Sequence, residues 1–327
     1  MPRPFAPALR DHPLFFEPLP PSARATPARR AEQLEAVVRL LRAEPAVDAV
    51  DVPELVDENH EGRPFYRSAD PTQFARSIAQ ETGCTAIVNR VVAHVPSAEA
   101  VAEWVRGTIG QGVRHVVLVG GSSRYIPYPG PGVIEANRIS RPVLEAVGGA
   151  LGNIAIPQRE GEAHRLLAKT RSGASFFTTQ IVFDGAQVLK MIQEYDRLCS
   201  QSGVPPAAIL LSVAPVADEG DAAFIRWLGA DFPESAERAI LNGDESGSTG
   251  RSIRHALNVW QEVRNRVVER GVRVPVGLNV EQVQLRHLES AGELLSAAAR
   301  TLDRGRSATA GDAERSPAAS AESGTTA

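Results

Sequence analysis

The sequence has only two cysteines, Cys84 and Cys199, in 327 residues, which excludes a disulfide framework and any cysteine-based zinc site. Each reads as a small buried hydrophobe in a reducing compartment. The histidines, at positions 12, 60, 94, 115, 164, 255 and 287, are scattered without the spacing of a metal site, so no metal is expected. No apolar run approaches the roughly 20 residues needed to span a bilayer. Residues 1–12 carry Pro2, Pro4, Pro7 and Asp11 and lead into no apolar run of signal-peptide length. Neither G-x-G-x-x-G nor G-x-x-x-x-G-K-[ST] occurs, which removes the Rossmann and P-loop fingerprints. Excess positive charge is absent too: Lys+Arg 35 against Asp+Glu 39 leaves a net charge of −4, with no general attraction to nucleic acid or anionic lipid. A cytoplasmic protein, with neither nucleic acid nor membrane as partner, is the expectation. The oligomeric state is not encoded in any feature of the chain.

What is present is ordinary globular composition, 43% hydrophobic and 23% charged, in a length that one large α/β domain can fill. Leu14-Phe15-Phe16-Glu17 is an extended run stopped by Pro18, Pro20 and Pro21. Leu34, Val37, Val38, Leu40 and Leu41 then share one face of a helix over 27–43. The alternation repeats. Strands are predicted at 46–52, 85–92, 115–119, 153–156, 175–183, 208–216 and 274–280. Between and after them helices are predicted at 70–83, 97–110, 133–147, 161–172, 187–202, 218–228 and 285–302, with Asp70 and Ser97 as N-caps. An insertion adds helices near 233–241 and 251–269. Eight strands separated by helices require a parallel sheet and fit a closed (β/α)8 TIM barrel. Residues 1–12 are expected to form an N-terminal arm and 13–302 the barrel domain. Residues 303–327, rich in Ala, Ser, Gly and Thr without helical periodicity, are expected to be a disordered tail.

Barrel sites assemble at the C-terminal ends of the strands. The polar residues there are Glu17, Glu54, Asn89 or Arg90, Ser122, Ser123, Arg124, Gln158, Gln180, Asp218, Asp221, Asn279 and Glu281. Glu17 is the most informative, because Phe15, Phe16, Pro18 and Leu19 disfavour its ionised form and suit it to act as a general acid near neutral pH. A carboxylate paired with an arginine at the rim is the plainer alternative. Gln180, in an apolar stretch, must satisfy both ends of its amide, either on a heterocycle edge or within the protein. Gly120-Gly121 permits close backbone approach at the end of the fourth strand.

Several segments together resemble the methylenetetrahydrofolate reductase family over most of residues 14–302. Phe16-Glu17-Pro18-Leu19-Pro20-Pro21 is similar to its F-E-x-x-P-P motif, and Gly112-Val113-Arg114-His115-Val116-Val117 to G-I-R-H-I-V. Residues 169–184, KTRSGASFFTTQIVFD, resemble K-x-x-A-G-A-x-x-x-I-T-Q-x-F-F-D, and Ala214-Pro215-Val216 and Gly277-Leu278-Asn279 follow in order. The resemblance implies an α/β barrel that reduces 5,10-methylenetetrahydrofolate to 5-methyltetrahydrofolate with electrons from NADH or NADPH. It makes Glu17 the catalytic acid and Gln180 the amide on the pterin, with Asn279 beside the folate.

The departures cluster on the flavin. Gly120-Gly121-Ser122 stands where the family has arginine-glycine-aspartate. Pro53, Arg90, Ile156 and Ala168 replace a threonine, a histidine, a tyrosine and an arginine. These losses put the usual FAD site in doubt and point to hydride transfer directly from the nicotinamide. The expected substrate contacts are Gln180, Asn279, Ser122 and Asp221; the expected NADH contacts are Glu54, Arg90, Gly121, Arg124, Gln158 and Lys169. Two alternatives stand beside this reading: an FAD enzyme using Arg90, Arg124 or Lys169, and a non-catalytic folate-binding barrel.

Overall fold

Strands covered by helices on one side and enclosing a barrel on the other are buried on both faces, which is why these segments read as continuous apolar runs. The computed structural model describes residues 5–59, 61–123, 125–242 and 245–314. Its strands are β1 (Leu14–Glu17), β2 (Ala49–Val52), β3 (Val56–Glu58), β4 (Pro64–Tyr66), β5 (Thr85–Val91), β6 (His115–Val119), β7 (Ala150–Ala155), β8 (Phe176–Thr179), β9 (Ala208–Val213) and β10 (Val276–Glu281). The helices are α1 (Phe5–Ala8), α2 (Pro27–Ala43), α3 (Pro71–Thr82), α4 (Ala98–Gly110), α5 (Val133–Glu145), α6 (Glu162–Ser172), α7 (Gly185–Gln201), α8 (Glu219–Trp227), α9 (Glu234–Leu241), α10 (Glu245–Glu269) and α11 (Leu288–Glu314). Eight strands close in the order β1-β10-β9-β8-β7-β6-β5-β2, and every pair around the ring is parallel. The expected (β/α)8 barrel is therefore the fold.

The two predicted caps form as expected. Asp70 accepts the Thr72 N–H at 2.9 Å and Ser97 the Ala100 N–H at 3.2 Å. Strands 175–183 and 208–216 are shorter than predicted, ending at Thr179 and Val213. Their apolar continuations, Ile181, Phe183, Ala214 and Val216, instead join Ile225, Phe232 and Ile240 in a separate cluster above the ladder. The polar loop after β2 carries an unpredicted antiparallel hairpin, β3–β4, with Val56 opposite Tyr66. The last helix also departs from expectation: it continues through Glu314, past the predicted end at Leu302. Extending an existing helix needs no new nucleus, so a weakly patterned, alanine-containing stretch can follow it. Residues 315–327 lie outside the described residues.

Side-chain alternation divides the barrel interior into layers. The lower layer is apolar: Phe15, Ala49, Ile87, Val117, Phe176, Ala208 and Leu210. Phe176 meets Phe15 edge-on at 5.8 Å, and a Cβ on Gly152 would lie 2.4 Å from the Phe176 ring, so glycine makes room for it. The N-terminal arm enters from below, with Phe5 5.7 Å from Phe15, 5.8 Å from Phe176 and 4.2 Å from His115. A cavity of about 1450 Å³ flanks the arm at this end, among Arg10, Arg114, His115 and Arg273, and includes none of the strand-end residues. The polar layer is at the opposite end.

Removing the Phe5 ring opens the lower layer. Phe5→Ala is expected to lower unfolding stability by about 3 kcal/mol, as for other buried phenylalanines. Urea denaturation reads this directly, and an unchanged midpoint would show that the arm does not close the barrel.

Candidate functional site

Alternation carries three acidic side chains into the upper layer from three adjacent strands. Glu17 and Glu281 are register partners on β1 and β10, and Asp51 follows the Phe16–Val50 pair on β2. Asn279 joins them from β10: its Nδ2 donates to Glu17 Oε2 at 2.8 Å and to Ser212 Oγ at 3.0 Å. The Ser212 hydroxyl, on β9, also hydrogen-bonds Glu281. Asp51 is fully buried, whereas Glu17 and Glu281 are partly accessible from the mouth. Burial pushes the Glu17 carboxyl up to about 7, the Asn279 hydrogen bond opposing it. Asp51 and Glu281 are raised well above the usual carboxylate range by burial and then by the charge of Glu17. A carboxyl poised near neutrality can hand a proton to a ligand and take one back.

The rim on the β2–β5–β6 side is built from ionic and hydroxyl contacts. The Arg90 guanidinium forms a close ion pair with Glu54, whose other oxygen accepts the Val91 N–H at 2.8 Å. It also lies 6.0 Å from the Tyr66 ring and 5.8 Å from that of Trp104. Glu58, on the hairpin, receives His94 Nε2 at 2.9 Å and the hydroxyls of Ser122 and Tyr128 at 2.7 Å each. Burial would raise the Glu58 carboxyl, but these contacts hold it below its ordinary value. The Tyr128 ring covers the glycine pair closely enough that a Cβ on Gly121 would lie 2.2 Å from it.

The β7–β8 side combines neutral amide contacts with an ion pair. Gln180 donates from Nε2 to the Leu228 carbonyl at 3.0 Å and accepts the Ile181 N–H at 3.0 Å, so both ends of its amide are engaged within the protein. Gln158 donates to the adjacent Gly229 carbonyl at 3.3 Å. Lys169 points at the end of β7, donating to the Ile154 carbonyl at 2.6 Å, with Glu162 at 3.4 Å. Asp221 is held by the Ala217 N–H at 2.9 Å, Gln284 Nε2 at 3.0 Å, His287 at 3.1 Å and a close contact from Arg286. Arg124 lies outside the described residues.

Of the expected site residues, the structure joins Glu17 with Asn279, Glu54 with Arg90, and Gln158 with Gln180 through consecutive carbonyls. Gln180 directly follows β8, which stands three places from β1 around the ring. Sequence reasoning passed over Asp51, Ser212, Glu58, His94 and Tyr128, and it noted Glu281 only as a strand-end residue. Asp51 had a visible signal, a lone charge inside Ala49-Val50-Asp51-Val52. Glu58 had none, because its role depends on the hairpin. Among the described residues no group of histidine, cysteine and acidic side chains is arranged to hold a metal ion, and no helix is long and apolar enough to cross a membrane.

No protein-family model and no curated protein matches the sequence. Among solved structures, the chain is similar to a protein of Clostridium thermocellum described as binding two copies of 5-methyl-5,6,7,8-tetrahydrofolic acid. The TM-score is 0.72 at 16% identity, covering 90% of this chain and 98% of that one. A second likeness, to the spore cortex-lytic enzyme SleL of Bacillus cereus, has a TM-score of 0.49 at 14% identity and covers 88% of this chain and 74% of that one. At 16% identity the first likeness is one of fold.

Asn279 is the donor that restrains the rise of the Glu17 carboxyl. Asn279→Ala is expected to move the Glu17 titration above about 7, read from the 13C shift of its carboxyl. A lowered midpoint would contradict this role.

Proposed function

We propose that the barrel mouth binds a reduced folate and that the chain reduces 5,10-methylenetetrahydrofolate to 5-methyltetrahydrofolate, taking hydride directly from NADH or NADPH as a second substrate. The observation that carries this reading is Glu17: a carboxyl raised to about 7, at the end of β1, oriented by Asn279. Opening the five-membered ring of the substrate requires a proton on N10 as the C–N bond breaks and its electron pair stays on that nitrogen. Glu17 is suited to give that proton near neutral pH. The N5 iminium left behind accepts hydride at the methylene carbon, completing the methyl group. The ligand described for the Clostridium thermocellum protein is the product of this reaction, which supports the same ligand class here.

The residues present do not fit a flavin in the manner of the resembled family. Tyr128 packs over Gly121, and Lys169 and Arg90 are committed to Glu162 and Glu54. Both substrates must then be held together, and kinetics are expected to be sequential.

The test is anaerobic NADH oxidation by flavin-free protein on adding methylenetetrahydrofolate, with an FAD-supplemented sample in parallel. Turnover in both is expected. Turnover only with FAD would overturn the direct transfer, and silence in both would leave a folate-binding protein at most. Glu17→Gln is expected to lower kcat by about 100-fold or more while folate binding persists. In the unaltered protein kcat/KM is expected to fall as pH rises through about 7, because the acid form is the active one.

A further inference from the structure

Asp51 is fully buried, and neither of its carboxyl oxygens has a hydrogen-bond partner among the described residues. Its strand neighbours offer no compensation. On one side β1 presents Glu17, with Glu281 of β10 beyond it; on the other, β5 places Asn89 two residues past Ile87, the partner of Asp51. The buried Oδ1 atoms of Asn89 and Asn279 also lack partners. Asn279 Nδ2 is already used by Glu17 and Ser212. No lysine, arginine or histidine forms an ion pair with any of the three carboxyls among the described residues, and Arg90, on the β5 strand next to β2, is committed to Glu54.

Counting donors and acceptors decides the protonation state. An ionised Asp51 adds only acceptors to a layer whose spare atoms are acceptors already. A neutral acid supplies the O–H that the layer lacks. We propose that Asp51 and Glu281 are kept as neutral carboxylic acids and act as positioning residues that confine the negative charge of the cluster to Glu17. Burial, reinforced by the charge of Glu17, favours the neutral form of both, with the Ser212 hydroxyl opposing it at Glu281. The purpose of this arrangement rests on the reading of Glu17 as proton donor, but the charge assignment itself is a property of the ligand-free protein. When the Glu17 proton passes to the substrate nitrogen, the carboxylate left behind faces two neutral acids. Two anions there would hold the proton on Glu17.

A carboxyl raised on folding binds a proton that the unfolded chain releases near 3.9, so its contribution to stability is lost as pH rises from there towards the folded value. Asp51→Asn needs no proton. The variant is therefore expected to match the unaltered protein in Tm near pH 4 and to exceed it increasingly towards pH 8.

The deciding experiment titrates full-length, ligand-free protein labelled with 13C at aspartate or glutamate carboxyls. One aspartate is expected to remain protonated at pH 7 and to vanish from the spectrum of Asp51→Asn. The Glu17 midpoint is expected to move by less than about half a unit in that variant, since one neutral group replaces another. Aspartates that are all ionised at pH 7, or a Glu17 midpoint lowered by about one unit or more in Asp51→Asn, would overturn the proposal. If the variant does not fold, the aspartate titration of the unaltered protein still decides. Absence of reductase turnover with the expected titrations would remove the catalytic reading and leave the charge assignment standing.

Discussion

Desolvation of carboxyl groups inside a closed ring of strands is the constraint on which the rest of this structure depends. Eight parallel strands leave an interior filled by side chains, and every second residue of each strand must live there. Below, that interior is aromatic and aliphatic and is closed by Phe5. Above, the same alternation puts Glu17, Asp51 and Glu281 side by side. Three anions so placed would repel one another and forgo hydration. Protons and the few donors available, Asn279 and Ser212, relieve that conflict. The raised carboxyl at the mouth is thus a consequence of closure: the interior disfavours its charge, and the open end leaves it partly exposed.

The upper loops respond to the same need by different means. Each exposed strand end must satisfy its backbone and side-chain polar groups. On the β2–β6 side this is done with charges: Glu54 with Arg90, and Glu58 with His94 and two hydroxyls. Lys169, buried beneath the end of β7, has its ammonium form disfavoured by burial, with Glu162 opposing that shift. A lysine held in this way supports a strand end.

The barrel was legible in the sequence because its signals are local: apolar runs of strand length, helical stripes, and caps such as Asp70 and Ser97. Glu17 was legible for a related reason, since its immediate neighbours are apolar. Asn279 was placed beside the substrate through the family resemblance; its hydrogen bond to Glu17 spans 262 residues of sequence and emerges only on closure of β1 against β10. Asp51 shows why alternation has to be read together with closure. Within its own strand it is one charge among hydrophobes, and its meaning comes from Glu17 on the next strand. The hairpin was missed because its strands have three residues each, too few for a period-two pattern to show. The engagement of Gln180 with Leu228 depends on how the chain returns after α8, which no local pattern records.

The clasp of Gln158 and Gln180 on the Leu228 and Gly229 carbonyls has a mechanical consequence. Those contacts are neutral, so neither salt nor pH across the physiological range weakens them directly. The clasp therefore holds the segment after α8 against the ends of β7 and β8 over that whole range of conditions.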